Sequence, residues 1–191
     1  LELGCGVGAL LKRLADRYDA VGIDDRPTQL RFAAARGGAV ACGRPTDPPV
    51  RSRFDGVCAT EYATARASAV DVCVAGYAAL RPGGLAVVVV PTDASGVADS
   101  GVETFTGPRY RLERAVDVVS GDAVVVDYRV TDGRSGETSV TTERRTVETT
   151  TAEGLTAALR TAGFEDVGVS GAGDDSGVAV GVGARPVETG R

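Results

Sequence analysis

Six consecutive apolar residues, Leu85-Ala86-Val87-Val88-Val89-Val90, stand between Gly83-Gly84 and Pro91. A half-solvated strand would alternate apolar with polar side chains. A short unbroken run bounded by turn residues instead fits a strand covered on both faces, in the middle of a parallel sheet. Parallel strands require long crossovers, usually helices, between them. The rest of the chain must therefore supply strand and helix in alternation.

It does so from the first residue. Leu1 to Leu3 reads as the end of a strand, followed by a glycine loop from Gly4 to Gly8. Val7, Leu10, Leu11, Leu14 and Tyr18 recur at helical spacing and give one apolar stripe. Ala20 to Ile23 is a second strand ending in Asp24-Asp25; Pro27 opens the next helix and Gly37-Gly38 closes it. Ala39 to Cys42 and Phe54 to Ala59 are two more strands, separated by a loop carrying Pro45, Pro48 and Pro49. A helix from about Ser68 to Leu80, with Ser68 and Asp71 spaced as a capping box, ends at Arg81-Pro82-Gly83-Gly84. Strands and helices in this order predict an α/β, doubly wound, mostly parallel sheet.

The rhythm changes after Pro91. Tyr110–Val119, Ala123–Thr131 and Glu137–Glu148 read as three strands, with Ser120-Gly121-Asp122 and Asp132-Gly133 as hairpin turns. They predict an antiparallel β-meander inserted into the α/β unit, over residues 92–149. A capping box at Thr150 and Glu153 then opens a helix striped by Leu155, Ala158 and Leu159 and closed by Gly163. Phe164–Val169 and Val178–Val182 are the last strands, separated by a Gly/Asp loop from Gly171 to Gly177. The expected organisation is one domain over 1–183 with a tail at 184–191.

Composition narrows the chemistry. The chain of 191 residues has no His, so imidazole bases, His-ligated metals and Ser-His-Asp triads are excluded. A net charge of −5 with dispersed arginines argues against a nucleic-acid partner. The longest apolar stretch is far short of the roughly 20 residues a bilayer span needs, so no membrane partner is expected. Cys5, Cys42, Cys58 and Cys73 sit in apolar segments without C-x-x-C spacing and predict buried reduced thiols in a cytoplasmic protein. The chain opens inside a strand without an initiator Met, so the natural N-terminus is expected further upstream.

The candidate site is Leu1-Glu2-Leu3-Gly4-Cys5-Gly6-Val7-Gly8. Glycines between a strand and a helix admit a ligand close to the backbone, and the helix N-terminus offers free N–H groups. Asp24, closing the next strand, is placed to accept hydrogen bonds from both hydroxyls of a ribose. Glu2 puts negative charge beside the loop, which suits a cationic ligand and opposes a pyrophosphate. Blander readings stand beside these: the glycines as a tight turn, Asp24 and Asp25 as helix caps, Cys5 as a small packing residue. Gly4, Gly6 and Ala9 also satisfy the G-x-G-x-x-A pattern of a dinucleotide site, so an NAD(P)-binding protein is an alternative.

In this order and spacing the motifs resemble those of the class I S-adenosylmethionine-dependent methyltransferases, over roughly residues 1–91 and 150–183. Glu2, Gly4, Gly6 and Gly8 match their acidic residue followed by G-x-G-x-G, and Asp24 matches the acid closing the second strand. Phe54-Asp55-Gly56-Val57-Cys58-Ala59, Leu80-Arg81-Pro82-Gly83-Gly84 and Ala162-Gly163-Phe164 resemble later motifs of the family. The resemblance implies a Rossmann-like fold with an antiparallel last strand. It implies S-adenosyl-L-methionine as cofactor, with Glu2, Gly4, Cys5 and Gly6 along its methionine end, Asp24 on the ribose and Asp25 against the adenine. Gly43-Arg44 stands where the family often has Gly-Asp, so backbone groups or Asp47 are expected at the adenine edge. Ala59 would face the methyl donor.

The meander resembles, more weakly, the insert of small-molecule N-methyltransferases, which covers the substrate or joins subunits. The resulting expectation is methyl transfer to a small molecule, an amine more readily than a hydroxyl. Glu61 and Tyr62 are the candidate bases, or else simply part of a solvated loop with one packed aromatic. A homodimer through the insert is expected at its exposed edge. Arg109, Arg111 and Arg114 read as an exposed strand face. A non-catalytic nucleotide-binding or dimerising module is the other reading.

Overall fold

The computed structural model describes residues 1–97, 102–171 and 177–187, and the side chains of 103 and 105 lie outside the described set. Most of the expected Gly/Asp loop after Gly171 and the end of the expected tail fall outside these residues.

The α/β unit runs β1 (Glu2–Leu3), α1 (Ala9–Ala15), β2 (Val21–Asp24), α2 (Pro27–Ala35), β3 (Ala39–Cys42), β4 (Phe54–Ala59), α3 (Glu61–Thr64), α4 (Ala69–Ala79) and β5 (Leu80–Pro91). An antiparallel sheet follows, built from β6 (Val102–Thr106), β7 (Tyr110–Ser120), β8 (Ala123–Asp132) and β9 (Thr138–Thr146). The chain then closes with α5 (Ala152–Ala162), β10 (Glu165–Ser170) and β11 (Val178–Ala184). The first sheet has seven strands in the order β10-β11-β5-β4-β1-β2-β3. β1 pairs in parallel with both β2 and β4, while β11 lies antiparallel to β5 and to β10. Strand order reverses between β1 and β4, and a crevice opens outside the carboxyl ends of strands at such a reversal.

The core forms where α4 and α5 pack on β4, β5 and β11. Leu80, Ala86, Val88 and Val90 on β5 meet Val72 and Cys73 of α4 and Leu155 and Leu159 of α5. The other face of β5 differs from expectation. Leu85 is 54% exposed and Val87 40%, so among the described residues this strand is covered on one side only. With Leu1, Leu14, Tyr18 and Phe54 they line an open apolar groove. The helical stripe of α1 is correspondingly thin: Leu11 is buried, whereas Val7 and Tyr18 are exposed. Cys42 is exposed too, since β3 is the edge of its sheet.

The meander has four strands rather than three; β6 adds to the expected set and pairs with β7. It docks through a second core in which Val124 and Val126 of β8 meet Ala65, Ala94 and Val147. Backbone bonds tie it down, with Glu148 N donating to Ala65 O and Ala94 N to Gly121 O. Arg111 and Glu113 pair on one face of β7, while Arg114 turns to the other and faces a cleft, contrary to the uniform exposed face expected. The helix caps also shift. Thr151 rather than Thr150 caps α5, accepting from Gly154 N, and Ser68 sits at the N-cap of α4 without a side-chain bond.

Candidate functional site: a cleft at the carboxyl ends of the first two strands

The loop after β1 is built by glycine. Gly4 and Gly8 adopt φ of +73° and +78°, a region costly for residues with a Cβ. A Cβ on Gly4 would also lie 2.6 Å from that of Ala63, and one on Gly8 would lie 2.8 Å from that of Ala33. The expected bare main chain thus serves two ends: it frees the cleft and lets α3 and α2 close on the loop. Gly4 and Cys5 donate to Ile23 O, at 2.7 and 3.0 Å, fixing the loop to β2.

Asp24 ends β2 and is buried. Its Oδ2 accepts from Gly6 N at 3.0 Å and its Oδ1 from Arg26 N at 2.9 Å. The Arg26 guanidinium adds two contacts, Nε to Oδ1 at 3.1 Å and Nη2 to Oδ2 at 3.3 Å. Burial alone would raise the Asp24 carboxyl; the Arg26 hydrogen bonds and charge, with the Gly6 N–H, outweigh it and hold the group below its ordinary range. Arg26 lies over the Tyr62 ring at 4.9 Å from its centroid, and Tyr62 Oη accepts from Gln29 Nε2 at 3.4 Å.

Glu2 is 3% exposed and its Oε2 has no hydrogen-bond partner among the described residues. Burial pushes its carboxyl up to about 7, and the nearby charge of Asp24 adds to the rise. Burial likewise pushes the Cys5 thiol up to about 12, which makes it an inert packing residue. Its sulfur fills the space that a Cβ on Gly22 would need.

Two adjoining clefts result. The first, about 120 Å³, is lined by Gly4, Asp24, Asp25, Arg26, Arg44 and Tyr62 among others. The second, about 90 Å³, lies between α3 and the antiparallel sheet, with Val116, Val124 and Val126 as its floor. Tyr62 and Arg66 line both. Several expected site residues lie elsewhere. Ala59 is buried in the main core, and Glu61, the first residue of α3, lines neither cleft. Cys5, Gly6, Gly8 and Gly43 support the walls without lining them. Asp47 is drawn outward to Arg51, at 2.9 Å, so Arg44 and Pro45 stand at the cleft instead. Arg26, Gln29, Arg66 and Arg145 went unnoticed in the sequence; Arg26 alone carried a signal, its place directly after the two acids.

Comparison with known proteins bears on the fold. Residues 1–88 match the family model described as a methyltransferase domain. No curated protein matches the chain. Among solved structures, DesVI of Streptomyces venezuelae superposes with a TM-score of 0.79 at 19% identity, covering 97% of this chain and 82% of that one. The sugar N-methyltransferase KedS8 of a Streptoalloteichus species gives 0.77 at 19%, covering 97% and 78%. CalS10 of Micromonospora echinaspora, an amino pentose methyltransferase, gives 0.71 at 23%, covering 96% and 81%. The fold is shared with solved S-adenosylmethionine-dependent methyltransferases, and the first half of the chain matches a methyltransferase domain. Among the described residues no helix is long and apolar enough to cross a membrane.

Proposed function

We propose that the protein transfers a methyl group from S-adenosylmethionine to a small-molecule acceptor, an amine in preference to a hydroxyl. The observation that carries most weight is the pairing of a buried carboxylate, Asp24, with a glycine-built main chain across one cleft. The residues present suit the cofactor. Glu2, with its orphaned Oε2, and Asp24 place two acceptors beneath the loop, which favours a cationic ligand rich in donors over a pyrophosphate. Glu2 and the loop main chain would hold the amino-acid end, Asp24 the ribose hydroxyls, and Asp25, Arg44 and Pro45 the base.

When bound, S-adenosylmethionine supplies a methyl group already activated by the sulfonium charge. The chain then has to orient and exclude water. Alignment of this kind contributes on the order of 7 kcal/mol or more without a dedicated catalytic group. Tyr62, shared by the two clefts, orients the acceptor and is the one expected base with access to it. The amine preference draws support from the acceptors named for neighbouring structures, which include an amino pentose and a glycopeptide N-methyltransferase. The reading treats residues 1–183 as one methyltransferase unit, with 92–149 as its substrate-side cover. The exposed edge strand β9 supports pairing with a second copy.

Transfer of labelled methyl groups to parallel panels of amines and alcohols tests the reading. Thermal shift with S-adenosylhomocysteine and with NAD(P) accompanies it. Stabilisation by the dinucleotide alone would overturn the proposal.

A further inference from the structure

The second cleft carries a charge pattern that methyl transfer does not require. Among the described residues that line it, three are arginines, Arg66, Arg114 and Arg145, and none is acidic, in a chain whose net charge is −5. Arg114 has an interaction of its own, so the argument rests on the other two. Arg145 commits only Nη2 to protein partners, Tyr128 Oη at 3.0 Å and Glu143 Oε2 at 2.5 Å. Its Nε is buried without a partner among the described residues, and the side chain as a whole is 33% exposed. Arg66 stands on the opposite wall, beyond α3, with no side-chain partner among the described residues. The two walls are close enough for charge to act between them. The Arg145 hydrogen bond, helped by the charges of Arg145, Arg66 and Arg26, holds the Glu143 carboxyl below its ordinary range against the opposing effect of burial. Glu143 is the one acid facing the pair from β9, and Tyr128 the one phenol from β8.

The Arg66 guanidinium, with the donors that Arg145 does not spend on Tyr128 and Glu143, forms a recognition element for an oxyanion beside an apolar floor, since the planar fork matches carboxylate or phosphoryl oxygens. The geometry points to an acceptor that bears an oxyanion, a phosphoryl or carboxylate group, held between Arg66 and Arg145 over Val116, Val124 and Val126. The identity of this ligand as the acceptor rests on the methyl-transfer reading; the site itself does not. The arrangement also serves that reaction. Clustered positive charge disfavours an ammonium and so favours the free-base amine, the form with a lone pair for attack.

Calorimetric titration of the 191-residue chain with inorganic phosphate, pyrophosphate and malonate, at constant ionic strength, tests the site. Saturable binding should weaken at least about tenfold in R66Q and in R145Q, the loss that goes with one charge-assisted hydrogen bond. R144Q removes the same charge from the strand's other face and should leave affinity within about twofold. R145K, which keeps charge but not the fork, should fall between; it and R66Q carry the test if R145Q does not fold. Tighter phosphate or pyrophosphate marks a phosphorylated acceptor, and tighter malonate a carboxylate. No saturable binding, or equal weakening by R144Q and R145Q, overturns the proposal. A parallel titration with S-adenosylhomocysteine separates the two readings: heat with it but not with the anions sinks only the oxyanion site, and the reverse sinks only the methyl-transfer reading.

Discussion

Arg26 grips the carboxylate of Asp24 at both oxygens, 3.1 and 3.3 Å away, from only two residues further along the chain. The acid assigned to the ribose is therefore already engaged, and a diol must exchange with the guanidinium to reach it. Arg26 is thus both the group that keeps Asp24 ionised and its competitor. R26Q should tighten S-adenosylhomocysteine by a few-fold, whereas D24N should weaken it by about tenfold or more, as expected for a lost charged hydrogen bond. Calorimetry with the two variants checks both signs.

Asp24 also sets an acid limit on stability. Its carboxyl is held below the ordinary range in the folded state, so its contribution is complete above the unfolded value of about 4 and is lost as pH falls through the folded value. Melting curves from pH 6 downward should show a steeper loss below about pH 4 in the wild type than in D24N.

Glu2 acts in the opposite direction. Its carboxyl rises to about 7 on folding, so between about 4.5 and 7 the folded state binds more protons than the unfolded one. Stability attributable to this residue falls as pH rises through that window. E2Q should melt higher than the wild type at pH 8 and converge with it below about pH 4.5.

Much of this frame was legible in the sequence for local reasons. Gly4, Pro27, Gly37 and Gly163 punctuate the chain where backbone geometry demands them, and Asp24 was identified by its place at a strand end. What escaped notice depended on longer-range packing. Helix α3 has four residues, too few to show a period. Leu85 and Val87 are as apolar as Ala86 and Val88, so no pattern within the strand reveals which side a helix covers. Arg114 and Arg145 sit in alternating strands, and alternation does not say which face turns inward. Asp47 was misplaced because its partner, Arg51, lies within a proline-rich loop whose path is not set by pattern.

The glycine loop yields a stability test. G4A combines a positive φ with a Cβ placed 2.6 Å from that of Ala63. It should cost about 2 kcal/mol or more in denaturant unfolding, from backbone strain and overpacking together. Adding A63G to it should recover the contact but not the backbone part.

The helix caps provide a matched pair. Thr151 accepts from Gly154 N at 3.1 Å, while Ser68 makes no such bond. T151A should lose about 1 kcal/mol and S68A only a few tenths, again by denaturant unfolding.

One turn of helix, α3 with the residues just after it, stands between the two clefts: Ala63 and Ala67 face one chamber, Ala65 the other, and Tyr62 and Arg66 border both. A party wall of this kind makes the rooms separately furnishable. Redesign of acceptor choice belongs on the inward face of β8 and β9, where changes reach a single tenant. Alterations at Tyr62 or Arg66 would be felt by both occupants at once.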